Sequence, residues 1–238
     1  MTDSKKLSSL SAIFPAYNDA GTIASMISAA QIASRQVTDD FEIVVVNDGS
    51  TDYTGLILED MKHRFPELRV ISHSSNRGYG GALRSGFAAA QKDWVFYTDG
   101  DAQYNPLELV SLVNALTDGV DAVNGYKSTR HDSLLRIVIG RSYHYLLKLL
   151  FRFRLRDVDC DFRLVPTRIL REIDLVSDSG AICLEMVKKI EDAGYVFAEI
   201  PVSHYPRKYG ISQFFMPRRI YDTLRQIAGL YGKLVLKR

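Results

Sequence analysis

The chain has 238 residues, which is enough for one large hydrophobic core and allows one or two domains. Hydrophobic residues make up 46% of it and charged residues 24%, an ordinary composition for a soluble globular protein. No uninterrupted apolar run approaches the roughly 18 residues needed to span a bilayer, and the first residues lack the apolar core and cleavage pattern of a signal peptide. We therefore expect a soluble or peripheral protein.

The formal net charge is only +2, but basic residues are concentrated in two stretches. Residues 134–156 contain six Arg or Lys and no acid, and residues 204–238 contain eight, with Asp222 as the single acid. Such stretches can face phosphate groups or an anionic membrane surface, although a solvated face with salt bridges is the commoner explanation. The two cysteines, Cys160 and Cys183, have no metal-binding or C-x-x-C spacing, so a reducing cytosol is the expected setting.

The alternation of apolar runs and amphipathic stretches predicts an α/β fold with a mostly parallel central sheet flanked by helices. β-Strands are predicted at residues 10–14, 41–46, 68–72, 94–98, 121–126, 162–165 and 195–202. Helices are predicted at residues 22–34, from about 52 to 64, from about 79 to 91, from Pro106 onward, and at 134–155, 182–193 and 214–237.

Acidic side chains follow three of the predicted strands. Asp19 follows the first strand, Asp48 the second, and the pair Asp99 and Asp101 the fourth. Because the carboxyl ends of parallel strands share one edge of a sheet, these groups should meet in the crevice where open α/β sheets bind ligands. Each alone could be an ordinary polar turn, but several carboxylates at one edge repel one another unless a cation or ligand compensates. The pattern therefore favours a functional site.

The pair Asp99 and Asp101 comes directly after an apolar, β-prone run. Two carboxylates one residue apart can share one hard divalent cation, which normally keeps coordination positions open for substrate phosphates. This pair is the expected centre of the site.

Glycines at positions 78, 80 and 81 open the helix that follows the third strand. They would let the backbone approach a phosphate or ribose closely. The segment is not a P-loop, since G-K-[ST] is missing, and Leu83 stands at the third glycine position of a dinucleotide-binding fingerprint. Tight packing between a helix and a strand explains these glycines nearly as well.

Two basic stretches are also amphipathic, at residues 134–155 and 214–237. A helix packed on the core with a charged outer face is the commoner case, and a helix lying in a membrane interface is the alternative.

Four motifs occur in one order along the first half of the chain: Pro15-Ala-Tyr-Asn-Asp19, Val46-Asn-Asp-Gly-Ser-Thr-Asp52, Asn76-Arg-Gly-Tyr-Gly80 and Asp99-Gly-Asp-Ala-Gln103. Together they resemble the family 2 glycosyltransferases, which have the GT-A fold with a Rossmann-like sheet. Later motifs resemble the branch of dolichol-phosphate mannose synthase and bacterial polyprenyl-phosphate glycosyltransferases: Asp161-Phe-Arg-Leu164, Leu184-Glu185-Met186, Gly194-Tyr195 and Arg207-Lys-Tyr-Gly210-Ile-Ser212.

The resemblance implies a glycosyltransferase domain over residues 1–213, with a nucleotide-binding half at about 8–127 and an acceptor half at about 128–213. Residues 214–238 would form a basic amphipathic C-terminal helix. The enzyme would be inverting and metal-dependent. It would move a hexose from a nucleoside-diphosphate sugar, of the GDP-mannose or UDP-glucose type, to a polyprenyl or dolichyl phosphate. It would work in the cytoplasm, at the inner face of the membrane.

The resemblance also assigns residues by position. Binding of the nucleotide sugar falls to Pro15, Tyr17, Asp19, Asp48, Gly78, Asp99, Asp101, Arg207 and Ser212. Asp99, Asp101 and Gln103 would hold Mg²⁺ or Mn²⁺, and Asp99, Asp101 and Arg207 would carry catalysis. Arg130 and Arg141 would hold the acceptor phosphate. The chain departs from the family at Asp19, where Glu is usual, and at Gln213, where Lys often follows the serine.

The prediction of the acceptor depends on a missing pair of acidic residues. Related enzymes with hydroxyl acceptors often carry a Glu-Asp pair about a dozen residues before a Gly-Tyr, to provide a general base. Here that place reads Ala181-Ile182-Cys183, which favours an acceptor that is already an anion, such as a lipid phosphate. A soluble sugar or protein hydroxyl is the alternative acceptor. Glu185 could position sugar or acceptor, or be a glutamate on a helix surface.

A nucleic-acid-binding module is disfavoured, since aromatic residues do not interleave the basic stretches as stacking platforms would require.

Overall fold

The computed structural model of the chain describes residues 6–128, 145–210 and 216–236. The described strands are β1 (Leu10–Ala16), β2 (Phe41–Asn47), β3 (Leu68–Ser72), β4 (Trp94–Thr98), β5 (Ala122–Lys127), β6 (Phe162–Pro166) and β7 (Phe197–Val202). The described helices are α1 (Ile23–Val37), α2 (Thr54–Arg64), α3 (Tyr79–Ala89), α4 (Leu109–Asn114), α5 (145–151), α6 (Thr167–Glu172), α7 (Ala181–Asp192) and α8 (Pro217–Tyr231).

The seven strands form one sheet in the order β3-β2-β1-β4-β6-β5-β7. Strands β1 to β4 are mutually parallel, and β7 is parallel to β5. Strand β6 is antiparallel to both of its neighbours, β4 and β5. The α/β class and the mostly parallel sheet agree with the expectation from the sequence. The two halves proposed from the sequence share this one sheet, because β6 lies between β4 and β5.

Helices cover both faces of the sheet, because successive side chains of a strand point to opposite faces. In β1, Phe14 packs with α1, α2 and α4 on one face, whereas Ile13 packs with α3, α6 and α7 on the other. Burying each such side chain contributes about 1.5–3 kcal/mol to folding. A further cluster joins α5, α7 and α8 through residues such as Phe151, Leu184 and Ile227.

The predicted helix over residues 134–155 is wrong at its end. Residues 129–144 lie outside the described part of the chain, and α5 ends at Phe151. Arg152 has a left-handed φ of 58°, after which Phe153 and Leu155 are buried while Arg154 and Arg156 are exposed. This alternation is the pattern of an extended segment. The apolar residues of the helix and of the extended segment follow one another without a break, so the sequence pattern predicts one long helix.

Three smaller differences concern element boundaries. Pro106 begins a short 3-10 helix, Pro106–Glu108, before α4, and α6 follows β6 directly although no helix is predicted there. The C-terminal helix ends at Tyr231 and continues as a π-helical turn, Gly232–Leu236. None of the helices in the described part of the chain is both long and apolar enough to cross a bilayer.

Candidate active site

The strand ends that carry the predicted site residues meet at one edge of the sheet. Strands β2, β1 and β4 are adjacent, so their carboxyl ends lie side by side. The turns after them are tied together by backbone hydrogen bonds, from Asp48 N to Ala16 O at 2.9 Å and from Gly100 N to Pro15 O at 3.3 Å. The predicted convergence of the acidic turns is therefore confirmed.

A segment distant in sequence, residues 203–210, closes this edge and brings Arg207 into it. The Arg207 guanidinium donates to Asp101 Oδ2, and its Nη1 lies 3.7 Å from Asp19 Oδ1. Asp101 is 2% exposed and Asp19 is 5% exposed. One arginine thus stands between two buried carboxylates that follow different strands.

Asp161 is a further carboxylate at this edge, and no role is predicted for it from the sequence. Because β6 is antiparallel, its amino end lies where the parallel strands end, and Phe162 pairs with Thr98. Asp161 therefore sits next to Asp99, and its Oδ1 accepts a hydrogen bond from Cys183 Sγ at 2.9 Å. The motif containing Asp161 was visible in the sequence, but the direction of its strand was not.

Burial raises the pKa values of Asp19, Asp99 and Asp101, and the charges of neighbouring carboxylates add to its effect. Burial raises the pKa of Asp19 to about 6, helped by the charge of Asp101 and opposed by the Tyr17 N–H and by Arg207. Burial, with the charges of Asp161 and Asp101, raises the pKa of Asp99 well above its usual range. Burial also raises the pKa of Asp101, although Arg207 opposes it. Among the described residues, the site therefore brings together more carboxylates than positively charged groups.

The residues present fit a divalent cation. Asp99 Oδ1 and Asp19 Oδ1 are buried, and neither forms a hydrogen bond within the described part of the chain. Carboxylate oxygens are the ligands that Mg²⁺ and Mn²⁺ prefer, and a cation would relieve the repulsion that raises the pKa values. Asp99 and Asp101 are the residues that would hold it. The described residues contain no preformed group of three or more His, Cys, Asp or Glu side chains around a metal position.

Gln103, the third predicted metal ligand, fastens the 203–210 segment. The side-chain Nε2 of Gln103 donates to Tyr205 O at 3.1 Å, and the backbone carbonyl of Gln103 accepts from Tyr205 N at 2.8 Å. Its backbone N–H donates to Asp101 Oδ1 at 3.0 Å. Ala102, which lies between Asp101 and Gln103, has a φ of 59°, a left-handed conformation that costs a non-glycine residue about 1–2 kcal/mol. The metal role of Gln103 remains a prediction, whereas its anchoring role follows from these contacts.

Asp48 organises the turn beside the site. It is 3% exposed, and its oxygens accept hydrogen bonds from Arg77 N at 2.8 Å and Gly78 N at 3.0 Å. His73 Nδ1 lies 2.7 Å from Asp48 Oδ1, and its other ring nitrogen lies 2.9 Å from Ser85 Oγ. Contact between Asp48 and the nucleobase remains a prediction.

The glycines at 78 and 80 are explained by close packing. A Cβ on Gly78 would lie 2.4 Å from Asp178 O, and one on Gly80 would lie 2.3 Å from Ser177 O. Gly78 also has a φ of 84°. The glycines therefore pack against the loop before α7. The alternative expected from the sequence is packing between the helix and a strand. Nucleotide binding by Gly78 remains a prediction.

Glu185 holds that same loop. It is buried, so the interpretation as a surface glutamate is wrong. Its carboxylate accepts hydrogen bonds from Val176 N at 3.1 Å and Ser177 N at 2.9 Å, and it pairs with Lys189 at 2.7 Å. Glu185 therefore fixes the loop that packs against Gly78 and Gly80, and its role in positioning sugar or acceptor remains a prediction.

The remaining predicted residues divide into two groups. Pro15 is buried within β1, where its carbonyl holds the Asp99–Asp101 turn, and Tyr17 is half-buried with Arg219 over its ring. Their contact with the nucleotide remains a prediction. Ser212, Arg130 and Arg141 lie outside the described residues.

A buried arginine that the sequence did not single out supports the strands behind the site. Arg163 is fully buried in β6 and donates to Tyr97 of β4, Asn124 of β5 and the carbonyl of Val158. Its neighbours Tyr97, Cys183 and Asp161 raise the pKa of its guanidinium against the effect of burial, so it stays charged. It therefore joins β4 and β6, the strands next to Asp99 and Asp161, to the neighbouring strand β5.

Comparisons with known proteins identify the family and the fold of the chain. The sequence profile of the family described as Glycosyl transferase family 2 matches residues 11–174. An undecaprenyl-phosphate 4-deoxy-4-formamido-L-arabinose transferase of Yersinia enterocolitica is 28% identical over 233 residues, covering 94% of this chain and 69% of that protein. The protein of the same name from Edwardsiella ictaluri is 29% identical with the same coverage.

Among solved structures, the chain is similar to glucosyl-3-phosphoglycerate synthase from Mycobacterium tuberculosis in complex with Mn²⁺, UDP and glucosyl-3-phosphoglycerate. The TM-score is 0.69 at 19% identity, with 95% of this chain and 79% of that chain covered. The same synthase has been solved with Mg²⁺ and UDP, at a TM-score of 0.69 and 18% identity, with 93% of this chain and 80% of that chain covered. At this identity the likeness concerns the fold, and it confirms the GT-A architecture. Because the family profile covers well over half of its length, the chain belongs to glycosyl transferase family 2 and is a glycosyltransferase.

Proposed function

We propose that the chain transfers a hexose from a nucleoside-diphosphate sugar to a polyprenyl phosphate, with inversion at the anomeric carbon and with Mg²⁺ or Mn²⁺. The observation that carries the proposal is the edge where Asp19, Asp99, Asp101 and Asp161 meet Arg207. In the part of the chain that the structure describes, this edge has more carboxylates than the single arginine balances, which suits a cation together with a diphosphate. The names of the curated relatives support a polyprenyl-phosphate acceptor.

The reaction breaks the bond between the sugar C1 and the diphosphate oxygen and forms a bond between C1 and an acceptor oxygen. A divalent cation held by Asp99 and Asp101 would stabilise the charge that develops on the departing diphosphate. Arg207 can add paired N–H donors to the same diphosphate. To do so its guanidinium leaves Asp101, which it contacts in this structure. Attack from the side opposite the leaving group inverts the anomeric configuration.

A phosphate acceptor fits the residues at the place where a general base could stand. Ala181, Ile182 and Cys183 are all buried in α7. Burial and the charge of Asp161 raise the pKa of the Cys183 thiol well above its usual range, so it is no base at neutral pH. An acceptor phosphate is an anion and reacts without losing a proton. The predicted roles of Arg130 and Arg141 in holding it belong to this proposal.

Exposed apolar side chains on α5 and on α8 support work at a membrane. Leu146 and Leu149 of α5 are 54% and 76% exposed, and Ile220 and Leu224 of α8 are 38% and 51% exposed. Basic residues of α8, such as Arg225, are exposed beside them. Apolar side chains flanked by arginines suit an anionic bilayer surface. We place the enzyme at the cytoplasmic face of the membrane.

The proposal is tested by incubating the protein with a polyprenyl phosphate, Mg²⁺ or Mn²⁺, and a panel of UDP- and GDP-sugars. We expect lipid-linked sugar with at least one donor, and none with the Asp101→Asn variant. The absence of transfer to lipid with every donor would refute the proposal. Flotation with anionic liposomes tests the membrane surface. Leu149→Glu should reduce binding, whereas Leu56→Glu, at a leucine on α2 that is 70% exposed, should not.

A soluble hydroxyl acceptor is the second candidate, and Asp161 favours it. This carboxylate lies next to Asp99 and could accept a proton from a hydroxyl. The M. tuberculosis synthase has been solved in complex with phosphoglyceric acid, a small compound that carries both a phosphate and a hydroxyl group. Transfer to water-soluble acceptors that survives Leu149→Glu and requires Asp161 would favour this candidate over a lipid phosphate.

A further inference from the structure

Arg219 of α8 bridges the turns after β1 and β3. Its Cζ lies 5.8 Å from the centroid of the Tyr17 ring, and its Nη2 donates to Asn76 Oδ1 at 3.3 Å. Asn76 in turn donates to Asp48 O at 3.2 Å. A side chain from the C-terminal helix therefore reaches the turns in which the family motifs place the nucleoside, away from the Asp101–Arg207 pair.

Helix α8 is anchored in this position by contacts independent of Arg219. Gln226 Oε1 accepts hydrogen bonds from the backbone N–H groups of Asp178 and Ser179, both at 3.2 Å. Ile227 and Leu230 are buried against α5 and α7. The anchor lies about two turns from Arg219, so the helix can hold the arginine over the pocket while the arginine itself stays partly exposed.

We propose that Arg219 binds the nucleoside part of the donor, so that α8 forms one wall of the nucleotide pocket. A guanidinium is planar, stacks on aromatic faces and donates hydrogen bonds in its plane, and stacking of this kind accepts any base. The inference rests on the proposed use of a nucleoside-diphosphate donor. It adds to that proposal a residue that lies outside the matched family region at 11–174.

The observed spacing indicates how the contact forms. A base between Tyr17 and Arg219 needs about 3.5 Å on each side, or about 7 Å in total, whereas the present distance is 5.8 Å. The guanidinium must therefore move outward by roughly 1 Å or turn from Tyr17 onto the base. A partly exposed side chain on a surface helix permits either movement without disturbing the core.

The test compares nucleotide binding by Arg219→Ala with that of Arg218→Ala, its exposed neighbour on the same helix. Both variants lose one positive charge, so they differ only in position. Calorimetry in the presence of Mn²⁺ would use UDP, GDP and inorganic pyrophosphate as probes. For the nucleotide that binds the wild type, we expect Arg219→Ala to weaken binding about tenfold and Arg218→Ala to leave it unchanged. Arg219→Lys should not restore it, because an ammonium has no planar face.

The probes separate the possible outcomes. Equal nucleotide binding by the wild type and Arg219→Ala would overturn the inference. So would an equal loss in Arg218→Ala, which indicates a general charge effect, or an equal loss for pyrophosphate, which places Arg219 at the phosphates. If the wild type itself binds neither UDP nor GDP, the proposed function fails, and the inference fails with it. Thermal unfolding without nucleotide checks that Arg219→Ala leaves the fold intact.

Discussion

Replacing Asp19 with Asn should stabilise the metal-free protein at neutral pH while impairing transfer. Asp19 Oδ2 accepts the Tyr17 N–H at 3.0 Å, an interaction that the Asn oxygen can retain. Asp19 Oδ1 is buried without a hydrogen bond, so losing its charge removes an unfavourable feature. Functional sites commonly hold such stored instability.

The size of the effect follows from the pKa of Asp19, which burial raises from 3.8 to about 6. Below about pH 3.8 the carboxyl is protonated in both the folded and the unfolded chain, so the variant should match the wild type. As the pH rises from there to about 6, the unfolded chain releases its proton first, and the free energy of unfolding of the wild type falls. Above pH 6 the full difference applies, about 3 kcal/mol at most, or about 6–12 °C in Tm.

The measurement is thermal unfolding by circular dichroism in EDTA, at several values between pH 4 and pH 8. Asp39→Asn is the control, because the Asp39 side chain is 89% exposed and pairs with Lys6, which is itself exposed. It should show no comparable gain. A gain in Asp19→Asn that does not grow with pH, or a loss of stability at pH 8, would refute the reasoning from crowded carboxylates.

Three further predictions concern single contacts of the site. Asp101→Ala should reduce transfer at least about a thousandfold with the fold intact, because it removes a proposed ligand of the cation that neutralises the diphosphate. Activity and circular dichroism of the same sample check this, and retained activity would contradict it. Gly80→Ala should lower Tm by several degrees, since its Cβ would lie 2.3 Å from Ser177 O, and an unchanged Tm would show that the loop yields freely. Gln103→Glu should raise the KM for the donor about tenfold, because it replaces the N–H that holds Tyr205 O; if Gln103 serves chiefly as a metal ligand, the carboxylate should instead preserve or tighten metal binding.

Much of the first half of the fold could be predicted from the sequence. Strand β2 is apolar except for Glu42 up to the polar turn that begins at Asn47, and the predicted limits of β3 match the observed ones. These elements are short and obey local rules, since a strand buried on both faces reads as apolar throughout. The convergence of Asp19, Asp48 and the Asp99–Asp101 pair followed from one further rule, that parallel strands end at one edge.

The later part was harder because its patterns are mixed. Residues 145–155 change from helix to an extended segment at Arg152, and no glycine or proline marks the change. Helix α6 is only six residues long and gives a weak periodic signal. The glycines at 78 and 80 were recognised as unusual, but the partner that requires them, the loop at Ser177 and Asp178, is about a hundred residues away.

The sequence by itself determined the α/β class, the acidic turns after the strands and the order of motifs typical of family 2, since these depend on local periodicity and on residue types at short spacing. Only the tertiary structure decided which distant groups complete the site. Asp161 joins Asp99 because β6 is antiparallel, and Arg207 stands between Asp19 and Asp101 because the 203–210 segment folds back over the edge. Strand direction and loop closure depend on packing across the whole chain, and no local pattern records them. The same holds for Arg219, which reaches Asn76 across 143 residues of sequence.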